Sequence, residues 1–248
     1  MAVADPTLRL ERAIVRKGAP AGFGGSDAAA GGLDGAVAAH SGLVIGCDEV
    51  GRGALAGPVA VGLCVIDVRR TRSVPAGLRD SKMLSEPRRE ELAPIAASWG
   101  LASAVGYASA EEIDRLGISA CLGLAGKRAL TDLHAAGVDV MAATIILDGH
   151  WDWLSPALTT PLSIRTQVKA DRDCASVAAA SVISKVARDH LMIGHDPAHP
   201  HYGWVRNKGY ASEQHRDALL ERGASELHRH TWLTKLFADP SRADESAA

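Results

Sequence analysis

Aromatic side chains are scarce, only 4% of the 248 residues, so the core has to be built from Ala, Val, Ile and Leu. Cysteine is sparse too. Cys47, Cys64, Cys121 and Cys174 lie far apart and form no C-x-x-C pair, a spacing that gives neither a zinc knuckle nor a disulfide framework. Small buried thiols in a reducing compartment are the ordinary reading. No apolar run is long enough to span a bilayer, since the longest, Ala54 to Ile66, is broken by Gly57, Pro58 and Gly62. The N-terminus has no apolar core and carries Asp5, Arg9, Glu11, Arg12, Arg16 and Lys17, which excludes a secretory signal and implies a cytoplasmic protein. Charge of one sign is missing as well. A net charge of −2 is not that of a chain coated in positive charge for nonspecific nucleic-acid binding. No internal repeat is present, which excludes solenoids.

What remains is a soluble globular balance, 47% hydrophobic and 23% charged. The charge is unevenly spread: residues 41–164 sum to −3 and residues 165–235 to +3, compatible with a metal-binding carboxylate centre beside a phosphate-contacting surface. Residues 7–17 can form a short helix with Leu10, Ile14 and Val15 near one face. From Gly18 to Gly42 the chain is Gly or Ala at 16 of 25 positions and reads as a flexible linker. The segment 1–40 has neither core pattern nor motif and is expected to be dispensable.

The ordered domain is expected to open at Leu43. Leu43–Cys47 and Val59–Ile66 read as buried strands. Ser85 to Trp99 reads as a helix capped by Ser85 with Pro87 in its first turn. A third strand is expected over Leu101–Ala108, and Ser109-Ala-Glu-Glu112 is a capping-box pattern. Ile118–Ala136 is a longer amphipathic helix ending at Gly137. Ala143–Leu147 and Leu162–Val168 complete the strands. Asp173–Met192 follows as a helix whose inward stripe is Ala179, Val182, Val186 and His190, with Ser181, Lys185 and Arg188 on another face. Helices near Ser212–Arg222 and Thr231–Phe237 end the chain. Strands alternating with helices after an initial hairpin indicate an α/β layer fold.

Four carboxylates stand at strand ends or just before a helix: Asp48 and Glu49 after the first strand, Asp148 after Thr144-Ile-Ile-Leu147, and Asp171 before the long helix. Taken singly, Asp148-Gly149 is an ordinary turn and Asp171 a helix cap. Together, with no Cys or His at ligand spacing, they point to a hard, oxygen-liganded cation, Mg²⁺ or Mn²⁺ rather than zinc. In Asp48-Glu-Val-Gly-Arg-Gly53, Gly51 and Gly53 let the backbone approach a ligand closely and Arg52 supplies charge.

With Ala-Leu-Ala-Gly-Pro58 directly after it, that segment makes the chain resemble the bacterial ribonuclease HII family, in a form like those of high-GC actinobacteria. Further motifs follow in order over roughly residues 43–236: Asp80-Ser-Lys-Met-Leu-Ser85, Ile146-Leu-Asp-Gly149, Lys169-Ala-Asp171, Ala178-Ala-Ala-Ser-Val-Ile-Ser-Lys185, and Tyr202-Gly-Trp through Asn207-Lys-Gly-Tyr210. The resemblance implies a ribonuclease H-like fold, a mixed central sheet flanked by helices with a C-terminal helical region. It also implies hydrolysis of the RNA strand in RNA–DNA hybrids and nicking at ribonucleotides embedded in duplex DNA, leaving 3′-hydroxyl and 5′-phosphate ends. The implied metal-site and catalytic residues are Asp48, Glu49, Asp148 and Asp171. Two divalent ions about 4 Å apart can activate a water and stabilise the departing 3′ oxygen. Gly51, Arg52 and Gly53 are implied to contact the ribose 2′-hydroxyl with Tyr210 as partner, which fits the need to tell RNA from DNA at one atom. Lys82 and Lys185 are implied phosphate contacts.

The chain departs from the family pattern at Asn207, where His is common, at Ala170, where Gly is common, and in an insertion around Trp151–Pro161. The expected organisation is an extension and linker (1–42), a catalytic domain (43–193), a C-terminal helical substrate-binding region (194–237) and a disordered tail (238–248). A monomer bound to hybrid or ribonucleotide-containing duplex, and to no membrane, is the expected assembly. Two other readings are a ribonuclease HIII-like hybrid nuclease, which normally needs an extra N-terminal domain that the Gly/Ala linker cannot supply, and a non-catalytic hybrid-binding protein, which four carboxylates disfavour. His195, His199, His201, His228 and His230 read as loop or nucleic-acid surface positions, and Trp151 and Trp153 as anchors of their loop.

Overall fold

The central strands of this chain must bury both faces with small aliphatic side chains, and in the computed structural model they do so between two helical layers. The structure describes residues 5–17 and 41–238. In chain order the elements are α1 (Arg9–Lys17), β1 (Leu43–Val50), β2 (Val59–Asp67), α2 (Glu86–Trp99), β3 (Ala102–Ala108), α3 (Ala110–Leu116), α4 (Ile118–Ala135), β4 (Thr144–Asp148) and β5 (Ser163–Gln167). They continue with α5 (Ala170–Asp173), α6 (Ala175–His195), α7 (Trp204–Asn207), α8 (Glu213–Arg222) and α9 (Thr234–Phe237). The sheet order is β3-β2-β1-β4-β5. β1 and β2 pair antiparallel, as do β2 and β3, whereas β1 runs parallel to β4 and β4 to β5. This is the mixed α/β architecture expected.

Alternate residues of each strand feed opposite layers. Ile45, Cys47, Val61, Leu63, Ile145 and Leu147 pack with Leu122, Ala125 and Leu133 of α4. Val44, Cys64, Ile66 and Ile146 face α6, α2 and α1 through Val177, Ala178, Leu92 and Ile14. The shortage of aromatics has a geometric result. At Gly46 of β1 a Cβ would lie 2.1 Å from the Ser176 carbonyl carbon of α6, so strand and helix meet backbone to backbone. A third cluster, built on Met192, Tyr202, Trp204 and Leu219, joins the end of α6 to α7 and α8.

Several expectations change. β1 runs on to Val50, so Asp48 and Glu49 lie within the strand. The helix expected from Asp173 forms as α6, starting two residues later, and an unexpected short helix, α5, precedes it and carries Asp171. The first half of α6 is buried nearly all round, Ser181 included, and Arg188 is buried further along, whereas His190 points out to Glu90. Stripe reading fails here because α6 lies between the sheet, α2 and the C-terminal lobe. The start of the ordered domain also moves. The helix expected over 7–17 forms, but Leu8 and Ile14 are buried in the core, so residues 5–17 pack on the domain instead of standing apart. The rest of the linker expected at 18–42, residues 18–40, and the tail from residue 239 lie outside the described residues. Trp153 anchors its loop in the core, as expected, while Trp151 is exposed. Among the described residues no helix is long and apolar enough to cross a membrane.

Candidate active site

Because β1 and β4 are parallel and Cys47 registers with Leu147, Asp48 and Asp148 emerge side by side at the same end of the sheet. Asp48 is buried, 4% exposed, and its Oδ1 accepts from the Glu49 N–H at 2.9 Å. Asp148 Oδ1 accepts from the Ala170 N–H at 2.7 Å and the Asp171 N–H at 3.5 Å. The cap of α5 is therefore Asp148, with Asp171 drawn in beside it. Lys169, in the left-handed region at φ 59°, makes the turn that allows this.

These groups repel one another. Burial first, then the charge of Glu49, lifts the Asp48 pKa well above the carboxylate range, with Asp148 adding to it and the Ser181 hydroxyl and Lys82 opposing. Burial likewise raises Glu49, against the pull of Arg52, whose Nη1 is 3.6 Å from Glu49 Oε1. Asp148 is raised by burial and then by Asp171. Lys82 Nζ sits 3.5 Å from Asp171 Oδ2. Partial burial works against its charge, but Asp48, Asp80 and Asp171 outweigh it and raise its pKa. Among the described residues no three acidic, His or Cys side chains are already gathered around one point as a ligand set. The four carboxylates line one end of the sheet without closing. An all-oxygen donor set in which Asp48, Glu49 and Asp148 have raised pKa values fits a hard divalent cation, which would relieve that repulsion.

The Gly51–Gly53 loop is held differently. The Gly51 N–H donates to the Tyr210 hydroxyl at 3.1 Å. Arg229 donates to the carbonyls of Gly51 (2.6 Å), Arg52 (2.8 Å) and Gly57 (3.1 Å). Arg188 donates to those of Pro58 (2.8 Å), Lys208 (2.9 Å) and Ala56 (3.0 Å). Both guanidiniums are fully buried. Gly51 has φ +79°, and a Cβ there would fall 2.0 Å from Arg188 Nε, so only glycine fits. Burial, then Arg188, lowers the Arg229 pKa to about 9, which still leaves it charged at neutral pH. Tyr210 lies under Lys185 Nζ and Arg188 Cζ, 5.6 and 5.4 Å from its ring centre. Lys185 is thus gathered to Tyr210 and paired with buried Asp189 at 2.6 Å, whereas Lys82 is gathered to the carboxylates.

Sequence reasoning missed Arg188 and Arg229 as loop clamps. The Lys185/Asp189 spacing on an otherwise apolar helix hinted at a polar face around Arg188, but nothing in the sequence marked Arg229. It also misread His228, which is fully buried and not on a loop surface. His228 Nε2 lies 3.0 Å from His215 Nε2, and His215 Nδ1 lies 2.9 Å from the Tyr210 carbonyl oxygen. Burial lowers the pKa of both, that of His228 to about 4. His201 and His230 are exposed, and His199 Nε2 lies 3.3 Å from a Glu226 carboxylate oxygen.

Solved structures share this fold. The PCNA:RNase HII complex from Archaeoglobus fulgidus superposes with a TM-score of 0.61 at 27% identity, covering 81% of this chain and 98% of that one. The structure of Bst-RNase HIII in complex with Mn²⁺ gives 0.61 at 27%, covering 80% and 69%. Fold and site together define an endonuclease of the ribonuclease H class. A family model described as Ribonuclease HII matches residues 45–235. The Ribonuclease HII of Streptomyces avermitilis is 45% identical over 190 residues, 77% of this chain and 76% of its own. That of Thermus thermophilus is 41% identical over 204 residues, 81% and 89%. The chain belongs to the ribonuclease HII family, metal-dependent endoribonucleases.

Proposed function

We propose that this enzyme hydrolyses the RNA strand of RNA–DNA hybrids and nicks duplex DNA at embedded ribonucleotides, leaving 3′-hydroxyl and 5′-phosphate ends. The observation that carries the reading is the placement of Asp48 and Asp148 directly after the register pair Cys47 and Leu147 of two parallel strands, beside a glycine loop pinned to Tyr210. Asp48, Glu49, Asp148 and Asp171 would hold two divalent cations, Mg²⁺ or Mn²⁺, which supply water activation and charge neutralisation at the departing 3′ oxygen. Asp148 fixes Asp171 through the backbone of α5, and Asp48 and Asp148 are held in the sheet itself. Gly51, Arg52 and Gly53 offer backbone to the ribose 2′-hydroxyl, while the Tyr210 ring bounds the sugar. Lys82 and Lys185 meet flanking phosphates. The enzyme acts as a monomer in the cytoplasm.

Incubating the protein with a duplex that contains one ribonucleotide, with Mg²⁺, Mn²⁺ or EDTA, and mapping the products tests this. A single nick at the ribonucleotide that EDTA abolishes is expected. Cleavage in EDTA, or cuts in all-DNA duplex, would overturn it.

A further inference from the structure

The long helix α6 lacks a cap of its own. Cys174 stands at its N-cap position and makes no side-chain cap hydrogen bond, although the first N–H groups of a helix need acceptors. Those acceptors come from the far N-terminus of the chain. The Ala175 N–H donates to the Thr7 carbonyl at 3.1 Å. The Ser176 N–H and the Ser176 hydroxyl both donate to Glu11 Oε1, each at 3.0 Å. In return the Thr7 N–H donates to the Asp173 carbonyl at 3.2 Å. Glu11 is fully buried, and its Oε2 has no hydrogen-bond partner among the described residues. A carboxyl group in so dry a place is costly unless it is hydrogen-bonded, and only Oε1 has such partners, both from Ser176. The helix dipole of a 21-residue helix offsets part of that cost.

The same segment grips a second point. Asp5 Oδ1 accepts from Arg79 Nε at 2.7 Å and lies 2.7 Å from Arg79 Nη2. Arg79 directly precedes Asp80-Ser81-Lys82, and Asp173 lies two residues after Asp171. Lys82 and Asp171 meet each other at 3.5 Å. Residues 5–11 thus bind the outer side of both chain segments whose tips form that contact, and they fall before residue 45, where the family match begins.

We propose that residues 5–11 are a strap that positions Asp171 and Lys82, with Glu11 as its central positioning residue. The proposal rests on the reading of Asp171 as a functional carboxylate given above. Without the strap, the start of α6 has two uncapped N–H groups, and α5 loses its hydrogen bond to Thr7 at Asp173 while keeping those to Asp148. Asp171 then drifts while Asp48 and Asp148, fixed by the sheet, stay in place.

The test compares Glu11→Ala, Glu11→Gln, Thr7→Pro and Asp171→Asn in the full chain, with Leu92→Ala as a stability control in the same apolar layer. Glu11→Ala is expected to lower kcat on a hybrid by roughly tenfold to a hundredfold, the scale of an ~1 Å misplacement, with KM little changed. Amide exchange at residues 170–176 is expected to accelerate in parallel. Glu11→Gln keeps an acceptor oxygen and should restore both readouts. Leu92→Ala should lower Tm without moving either at temperatures below the transition. Thr7→Pro removes the N–H that reaches Asp173 but spares Glu11, and gives the same answer if Glu11→Ala does not fold. Unchanged kcat in a folded strap variant whose 170–176 exchange has accelerated overturns the strap's role. Unchanged exchange overturns the clamp itself. Full activity of Asp171→Asn overturns the reading of the site and the strap's function with it.

Discussion

The carboxylate end of the sheet and the glycine loop beside it face the same space but are built on opposite principles. The loop is satisfied by the protein around it: two buried guanidiniums from outside the loop, Arg188 and Arg229, supply donors to its carbonyls at Gly51, Arg52, Ala56, Gly57 and Pro58 and to that of Lys208 beside it. The carboxylates are placed as firmly by strand register, yet burial and mutual repulsion raise the pKa of Asp48, Glu49 and Asp148. One half is stable without a ligand. The other holds unfavourable charge that a cation would relieve. Mutations should therefore separate activity from stability according to which half they strike.

The largest effect is expected from Asp148→Asn. Loss of about a thousandfold in kcat, or ~4 kcal/mol of transition-state stabilisation, should come with an unchanged or higher Tm, because the repulsion falls. Full activity under Mg²⁺ would sink the carboxylate assignment. Arg229→Met strikes the other half. Three carbonyls lose their donor, at about 1 kcal/mol or more each, so unfolding free energy from urea titration should fall by roughly 3 kcal/mol. Equal destabilisation by Asp148→Asn would erase the contrast between the halves.

Tyr210→Ala is the next in size. It leaves every carboxylate in place, so cleavage at a lone ribonucleotide should fall about a hundredfold while Mn²⁺ binding by calorimetry stays constant. Tyr210→Phe keeps the ring but drops the acceptor for the Gly51 N–H, and should recover most of the rate. Unimpaired Tyr210→Ala would mean that the loop reads the 2′-hydroxyl alone.

The smallest effect concerns pH. His228 titrates near 4 in the fold and near 6.5 when unfolded, so the unfolded chain binds the extra proton between those values. Stability is whole above about pH 6.5 and is lost as pH falls toward 4. His228→Gln should flatten the Tm-versus-pH curve in that window. An unaltered slope would remove His228 as its source.

The strands were legible because continuous β-branched runs between glycines and prolines mean buried strands whatever lies around them. The carboxylates were legible because a charged residue ending such a run needs a reason. Arg188, Arg229, His228 and Glu11 were not. Each is buried against backbone or side chains brought close only by the tertiary fold, as when Glu11 reaches Ser176 across 165 positions of chain. Helical periodicity also misled at α6, since an element covered on every side has no single stripe to read.

Gly46 has a consequence for how this chain can change over generations. Most core contacts can drift, because a side chain that grows on one element can be answered by one that shrinks on its neighbour. Between Gly46 and Ser176 the contact is main chain on main chain, so no neighbour has anything to give up. An added methyl would move the whole helix, and with it Lys185 and Arg188, away from a strand that carries Asp48 two residues further on. The width of the active cleft is in this sense inherited as a fixed gauge, free of the compensating exchanges that let the rest of the core wander.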